Sequence, residues 1–230
     1  MREIQKPLTI EEKDDFKVIF SKYGAYALDK QENLENLVKD SKGTLNIDDG
    51  KLSFDNNIIF DVQILAFYSP EFNMWSWAWD NEDMDLNKKL LKDSFKIKEI
   101  GEKYNISEFT TPNFGIDFDD SHMISMVASS LLDSDAYYVA NFEDLNVFVM
   151  IKSSLIIEDN SAERFRLTFN SFNKNFTICS RIAFEGYSKL KGYEYKDRDE
   201  FSLAKIGDNR VIAGFSEKGV LTHIQLLKAD

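Results

Sequence analysis

Residues 58–81 read IIFDVQILAFYSPEFNMWSWAWDN, and their periodicity decides the fold. From Ile58 to Tyr68 the apolar pattern has a period of two. Phe60, Val62, Ile64 and Ala66 fall on one face and Asp61, Gln63, Leu65 and Phe67 on the other, which predicts a long strand. Pro70 ends it, and Met74–Asp80 predicts the next strand. On that strand Trp75, Trp77 and Trp79 share one face, while Met74, Ser76, Ala78 and Asp80 take the other. Two consecutive strands joined by a short turn read as an antiparallel pair.

On the N-terminal side, Leu45 and Ile47, the turn Asp48-Asp49-Gly50, and Leu52 and Phe54 predict a hairpin. Before it, Thr9-Ile10-Glu11-Glu12 fits a capping box. Phe16, Ile19, Phe20, Tyr23 and Ala27 follow at helical spacing, with Gly24 as a point of interruption. On the C-terminal side, Leu86 to about Tyr104 predicts a helix, with acidic residues at its start, and Thr110–Asp117 predicts a loop. A second helix runs through Met123 and Leu131, capped by Asp119, Asp120 or Ser121. Ala136–Ala140 and Leu145–Ile151 read as paired strands, and Leu155–Ile157 and Phe165–Phe169 as further strands. A short helix over Ile178–Leu190 ends at Gly192. Alternation then returns through Phe201, Val211 and Leu221, with a tight turn over Ser216–Gly219. The pattern is α+β, a mainly antiparallel sheet packed by helices. It reads as one domain over residues 1–230, and the loop at 158–163 is where a sub-boundary would fall, because the charge balance changes there.

The run Trp75-Ser76-Trp77-Ala78-Trp79-Asp80-Asn81 resembles a W-x-W-A-W-x-N strand that marks a family of uncharacterised microbial proteins, a domain of unknown function. Flanking features agree: the Tyr68-Ser69 strand end, Ile100-Gly101-Glu102, Phe109-Thr110, Met126-Val127-Ala128 and Ala136-Tyr137-Tyr138. Arg181-Ile182-Ala183 and Phe215-Ser216-Glu217-Lys218-Gly219 fit its C-terminal part. The chain departs from the pattern at Ala66-Phe67, where the family suggests a glycine, so the local backbone there is open. The resemblance implies an α+β fold and transfers no catalytic residue.

Composition narrows the functional classes. The 230 residues hold 28 basic and 40 acidic side chains, a net charge of −12, and 43% hydrophobic residues, which is a globular balance. Residues 1–151 carry 15 basic and 29 acidic residues, and residues 152–230 carry 13 and 11. An acidic chain repels phosphate backbones, so no nucleic-acid partner is expected. The N-terminal stretch lacks an apolar signal core and no run approaches a membrane span, so the expected location is cytoplasmic, without membrane attachment. The single cysteine, Cys179, excludes an intrachain disulfide and sits on an apolar helical pattern.

Site signals are few. Three indoles on one face suit a core beneath helices or the wall of a pocket. A pocket would open where Trp79 and Asn81 leave the sheet, with Asp61, Gln63 and Glu102 lining it, and these five are the candidate ligand-binding residues. The same polar groups equally serve as acceptors for buried indole N–H groups. His122 and His223 are far apart, without ligand spacing. Asp80–Asp85 alternates oxygen ligands like a calcium loop but lacks its turn glycine. Nucleophile elbows and phosphate-binding glycine loops are absent. No catalytic residue, metal site or cofactor is assigned. The expected activity is binding, of a basic protein partner or a small ligand, rather than catalysis. One alternative is an acidic immunity-type protein that neutralises a basic toxin, and another is a hydrolase that uses Asp61 or Glu102.

Overall fold

A computed structural model describes residues 8–11, 13–81 and 86–229. The chain is α+β. It divides into a central unit, Lys30–Ile157, and a terminal unit made of Met1–Asp29 and Glu158–Asp230. The long helix α1 (Phe16–Val38) supplies residues to both. It starts at Phe16 and not at Thr9, because Asp15 provides the cap: its carboxylate accepts from Val18 N at 2.8 Å and its carbonyl from Ile19 N at 3.0 Å. Glu12 of the expected capping box lies outside the described residues. Gly24 does not interrupt the helix. A Cβ there would lie 2.5 Å from Phe172 Cζ, so the missing side chain lets that ring pack on the helix.

The central unit holds a seven-stranded antiparallel sheet. Strands β1 (Gly43–Asn46), β2 (Lys51–Phe54), β3 (Ile59–Ser69), β4 (Met74–Trp77) and β5 (Asn113–Gly115) follow in order. β7 (Asn146–Ile151) also pairs with β3, and β6 (Ala136–Asn141) pairs with β7. Simple alternation along β3 fails in one place. The pairing with β7 steps from Ile64↔Val149 to Ala66↔Phe148, so Leu65 is the extra residue of a β-bulge. After the bulge the faces exchange. Phe67, not Ala66, joins Phe60, Val62 and Ile64 in the cluster that packs against Leu34 and Val38 of α1. The bulge lies beside the Ala66-Phe67 departure from the family pattern.

Ala66, Trp75, Trp77 and Phe148 share the other face, as the pairs Ala66↔Trp77 and Ala66↔Phe148 require. Helix α2 (Lys92–Tyr104) packs on β3, and the short α3 (Ser107–Thr110) sets Phe109 edge-on to Trp77. Helix α4 (Phe118–Leu131), whose N-cap position falls on Asp117 and not on a later residue, without a side-chain capping bond, adds His122, whose ring meets Phe148 and Tyr137. Two expectations are corrected here. Helix α2 begins at Lys92 rather than near Leu86, after a 3-10 turn at Lys88–Leu90. The expected loop at 110–117 contains β5, because Met74 and Ser76 of β4 pair with Gly115 and Asn113.

In the terminal unit, β8 (Glu194–Asp197), β9 (Phe201–Ile206), β10 (Asn209–Phe215) and β11 (Leu221–Leu227) form a meander. Helices α5 (Ala162–Asn175) and α6 (Ser180–Leu190) pack against it. The stretch Phe165–Phe169 is therefore helical and not a strand, and Leu155–Ile157 is a turn and bend. Its Phe-Arg-Leu-Thr-Phe order imitates a period of two, but Phe165, Phe169 and Phe172 are the buried set, at spacings of four and three. Leu167 between them is half exposed. Cys179 is the N-cap residue of α6 and is only partly buried.

A buried charge network ties this unit together. The Asp29 carboxylate, 1% exposed, accepts from Arg164 Nε at 2.9 Å and from Lys191 Nζ at 2.8 Å. The next residue, Lys30, belongs to the central unit and donates from Nζ to the Ser134 carbonyl at 2.6 Å. No helix of the described residues is long and apolar enough to cross a membrane.

Candidate functional site

The tryptophans come first, since the expected pocket hangs on them. β4 stops at Trp77, and Ala78–Asp80 turns into a 3-10 helix. Trp75 and Trp77 therefore share a face, with their rings edge-on at 5.2 Å, but Trp79 leaves the strand and does not continue the row. All three are core: Trp75 and Trp77 are fully buried and Trp79 is 8% exposed. Ser94 fixes the turn. Its hydroxyl donates to the Leu65 carbonyl at 2.8 Å and accepts from Trp79 N at 3.1 Å. The carbonyl it takes is that of the bulged residue. Lys98 caps the Trp79 ring, its Nζ 4.3 Å from the ring centre.

The other candidate residues scatter around this turn. Gln63 accepts from Lys92 N at 3.1 Å and so anchors the start of α2. Asp61 points outward and pairs with Lys51 of β2. Glu102 is exposed on α2, and Asn81 closes the 3-10 turn half buried. None of the four accepts an indole N–H; Trp77 donates instead to the Glu108 carbonyl at 2.9 Å. Residues 82–85, most of the calcium-like stretch, lie outside the described residues. Among the described residues no three His, Cys, Asp or Glu side chains converge as a metal would require.

A cleft of about 730 Å³ opens elsewhere, in the terminal unit, beside Arg181, Asp197, Phe215, Glu217 and His223. Arg181 is already engaged: it donates to Asp197 Oδ1 at 2.6 Å and to the carbonyls of Arg198 and Asp199, both at 2.8 Å, and it lies over the Phe215 ring. Burial would raise the Asp197 carboxyl, but hydrogen bonds from Ser202 and Arg181 outweigh it and hold the group below its ordinary value. The arrangement stitches the β8–β9 turn to α6, which is a structural task.

The electrostatic layout separates the two units. The central unit has 11 lysines, no arginine and 23 acidic residues, a balance of −12; the terminal unit has 17 basic and 17 acidic residues. Within the central unit two long stretches, 52–87 and 104–151, contain 15 acidic residues and no lysine or arginine. Pairing of β3 with β7 and of β4 with β5 brings these stretches together in one sheet. Six of the 11 lysines lie instead between Lys88 and Lys103, on α2 and the turn before it. His122, the histidine of these stretches, has its ring nitrogen Nδ1 2.9 Å from Tyr137 Oη. Burial holds the imidazole below its ordinary value, against the opposing pull of Asp119.

The tryptophan strand, the bulge and the base-free stretches all fall inside a match, over residues 17–154, to the model of a family of unknown function, DUF6882. The chain belongs to this family. DUF6882 thus covers α1 and nearly all of the central unit, while α5, α6 and β8–β11 lie beyond the matched residues. No curated protein and no solved structure matches the chain. The acidic-sheet pattern was accessible to sequence reading as two gaps in the positions of lysine and arginine. Its convergence was not, because it depends on strand order.

Proposed function

We propose that this DUF6882 protein acts by binding, and that its central unit receives a basic protein partner. The separation of charge carries the reading: the whole net charge of −12 resides in the central unit, and its base-free stretches supply β3 to β7 of one sheet. Such a surface attracts a cationic partner over roughly a Debye length and accelerates its encounter. It disfavours nucleic acid, whose phosphates it repels. Neutralisation of a basic toxin is the most specific form of this reading, since a steered, tight complex is what inhibition needs. Interior placement of the indoles supports protein binding over small-ligand binding, because the tryptophans are spent on the core.

The test is association kinetics against a panel of basic single-domain proteins, read by stopped-flow fluorescence at several salt concentrations. The expected partner associates at about 10⁸ M⁻¹s⁻¹ or faster at low salt and slows toward about 10⁶ M⁻¹s⁻¹ as salt rises. Rates that ignore salt, or equal capture of acidic proteins, would overturn the reading.

A further inference from the structure

Three turns meet at one end of the central sheet. The pairs Tyr68↔Asn146 and Asn141↔Asn146 place the β6–β7 turn beside the end of β3. The pair Ser69↔Met74 places the β3–β4 turn there, and Ile116 N donates to the Asn73 carbonyl at 2.9 Å, bringing in the segment that enters α4. The two hairpin turns and the start of α4 each present a phenylalanine to solvent: Phe72 is 69% exposed, Phe142 43% and Phe118, the first residue of α4, 38%. Phe118 is backed by the Tyr68 ring at 5.3 Å and the His122 ring at 4.8 Å, which hold it in place. Turn positions ordinarily take small or polar residues, so an exposed phenylalanine on each of two adjoining hairpin turns, with a third at the start of α4, requires an explanation.

The same turns and the first turn of α4 carry Glu71, Asp117, Asp119, Asp120, Glu143 and Asp144, all exposed. Neither these turns nor the elements they join, β3 to β7 and α4, contain a lysine or arginine. Exposed aromatic side chains among carboxylates, with no cation on the same elements, are the composition of a recognition patch for an oppositely charged partner with apolar anchors.

We infer that this end of the sheet is the docking surface, and that its occupant is a lysine- or arginine-rich amphipathic segment of a partner protein. The inference rests on the function proposed above. Apolar side chains of the segment lie on Phe72, Phe118 and Phe142, and its cations meet the six carboxylates. The carboxylates choose among occupants: nucleic acids and anionic lipid surfaces bring negative charge to negative charge.

The experiment uses fluorescence anisotropy with three labelled peptides of equal length: an alternating leucine–lysine amphipathic helix, a plain oligolysine, and the leucine–glutamate analogue of the first. The leucine–lysine peptide is expected to bind at least tenfold more tightly than oligolysine, and the glutamate analogue not to bind. The double variant F72S/F142S, which spares the packed Phe118, is expected to bring the leucine–lysine peptide to the oligolysine level. Its melting temperature verifies the fold. D117N/D119N/D120N is expected to weaken both cationic peptides. If F72S/F142S leaves the leucine–lysine affinity unchanged, the docking surface is overturned while the electrostatic reading stands. If the wild type binds neither cationic peptide, the electrostatic reading fails and the docking surface with it.

Discussion

Trp77 illustrates how much of this protein depends on single buried side chains. Its indole is fully enclosed, meets Trp75 and Phe109 edge-on, and satisfies its N–H on the Glu108 carbonyl. Trp77→Ala is expected to cost about 3–5 kcal/mol in denaturant unfolding, the range for emptying a large aromatic site. Because all three tryptophans are in the core, native fluorescence should be blue-shifted and barely quenched by acrylamide; a red-shifted, readily quenched spectrum would contradict their burial. His122 gives a pH dependence of definite sign. Its folded-state affinity for protons is depressed, so the unfolded chain binds the proton first as pH falls below about 6.5. Stability should drop from that pH down to the folded pKa and then level off for this group. Urea midpoints between pH 7.5 and 5 measure it, and His122→Gln should flatten the slope. At this scale the sequence was legible in part. The size of the indoles favours burial, but the choice between core and pocket wall is made only by the tertiary structure. The roles of Asp61 and Gln63 do not, because Lys51 and the amide of Lys92 reach them only through tertiary structure.

At the scale of elements, two errors of sequence reading share one cause. A period of two persists only while a strand keeps its register. Leu65 breaks that register on β3, and the backbone turns into a 3-10 helix after Trp77, so extrapolated alternation misplaces Phe67 and Trp79. Ser94 links the two irregularities by bonding to both Leu65 O and Trp79 N. Ser94→Ala removes both hydrogen bonds and leaves two buried backbone groups without that partner, with an expected loss of about 1–3 kcal/mol. Hydrogen exchange should locate the change at Leu65–Trp79; equal protection in variant and wild type would contradict it. Helix α5 was missed for the converse reason. Five residues are too short a window to separate periods of 2 and 3.6, and Phe172 was needed to settle it. The hairpins β1–β2 and β6–β7 were legible because turn and alternation agree.

For the whole molecule, the segregation of charge has a thermodynamic consequence apart from binding. A central unit with a balance of −12 repels itself, and salt relieves that repulsion. The melting temperature should therefore rise between about 10 and 200 mM sodium chloride, a range over which the Debye length falls from about 30 Å to under 10 Å. A flat or falling Tm would mean that the acidic groups are locally compensated. The α+β class and the antiparallel pairing were legible at this scale from the turn chemistry. The acidic end of the sheet was not, since it gathers residues from hairpin turns about 70 positions apart.

Helix α1 also bears on how the chain comes into being. Asp29 is neutralised by Arg164 and Lys191, whereas Lys30, one residue later, is anchored on Ser134. During synthesis the central unit emerges as one uninterrupted segment. At about 5–20 residues per second the ribosome needs roughly 6–26 s to deliver its roughly 130 residues. For all of that time Asp29 waits without the two cations that will enclose it. The acidic unit is free to fold at once, and the other, which needs residues from both before and after it in sequence, closes later.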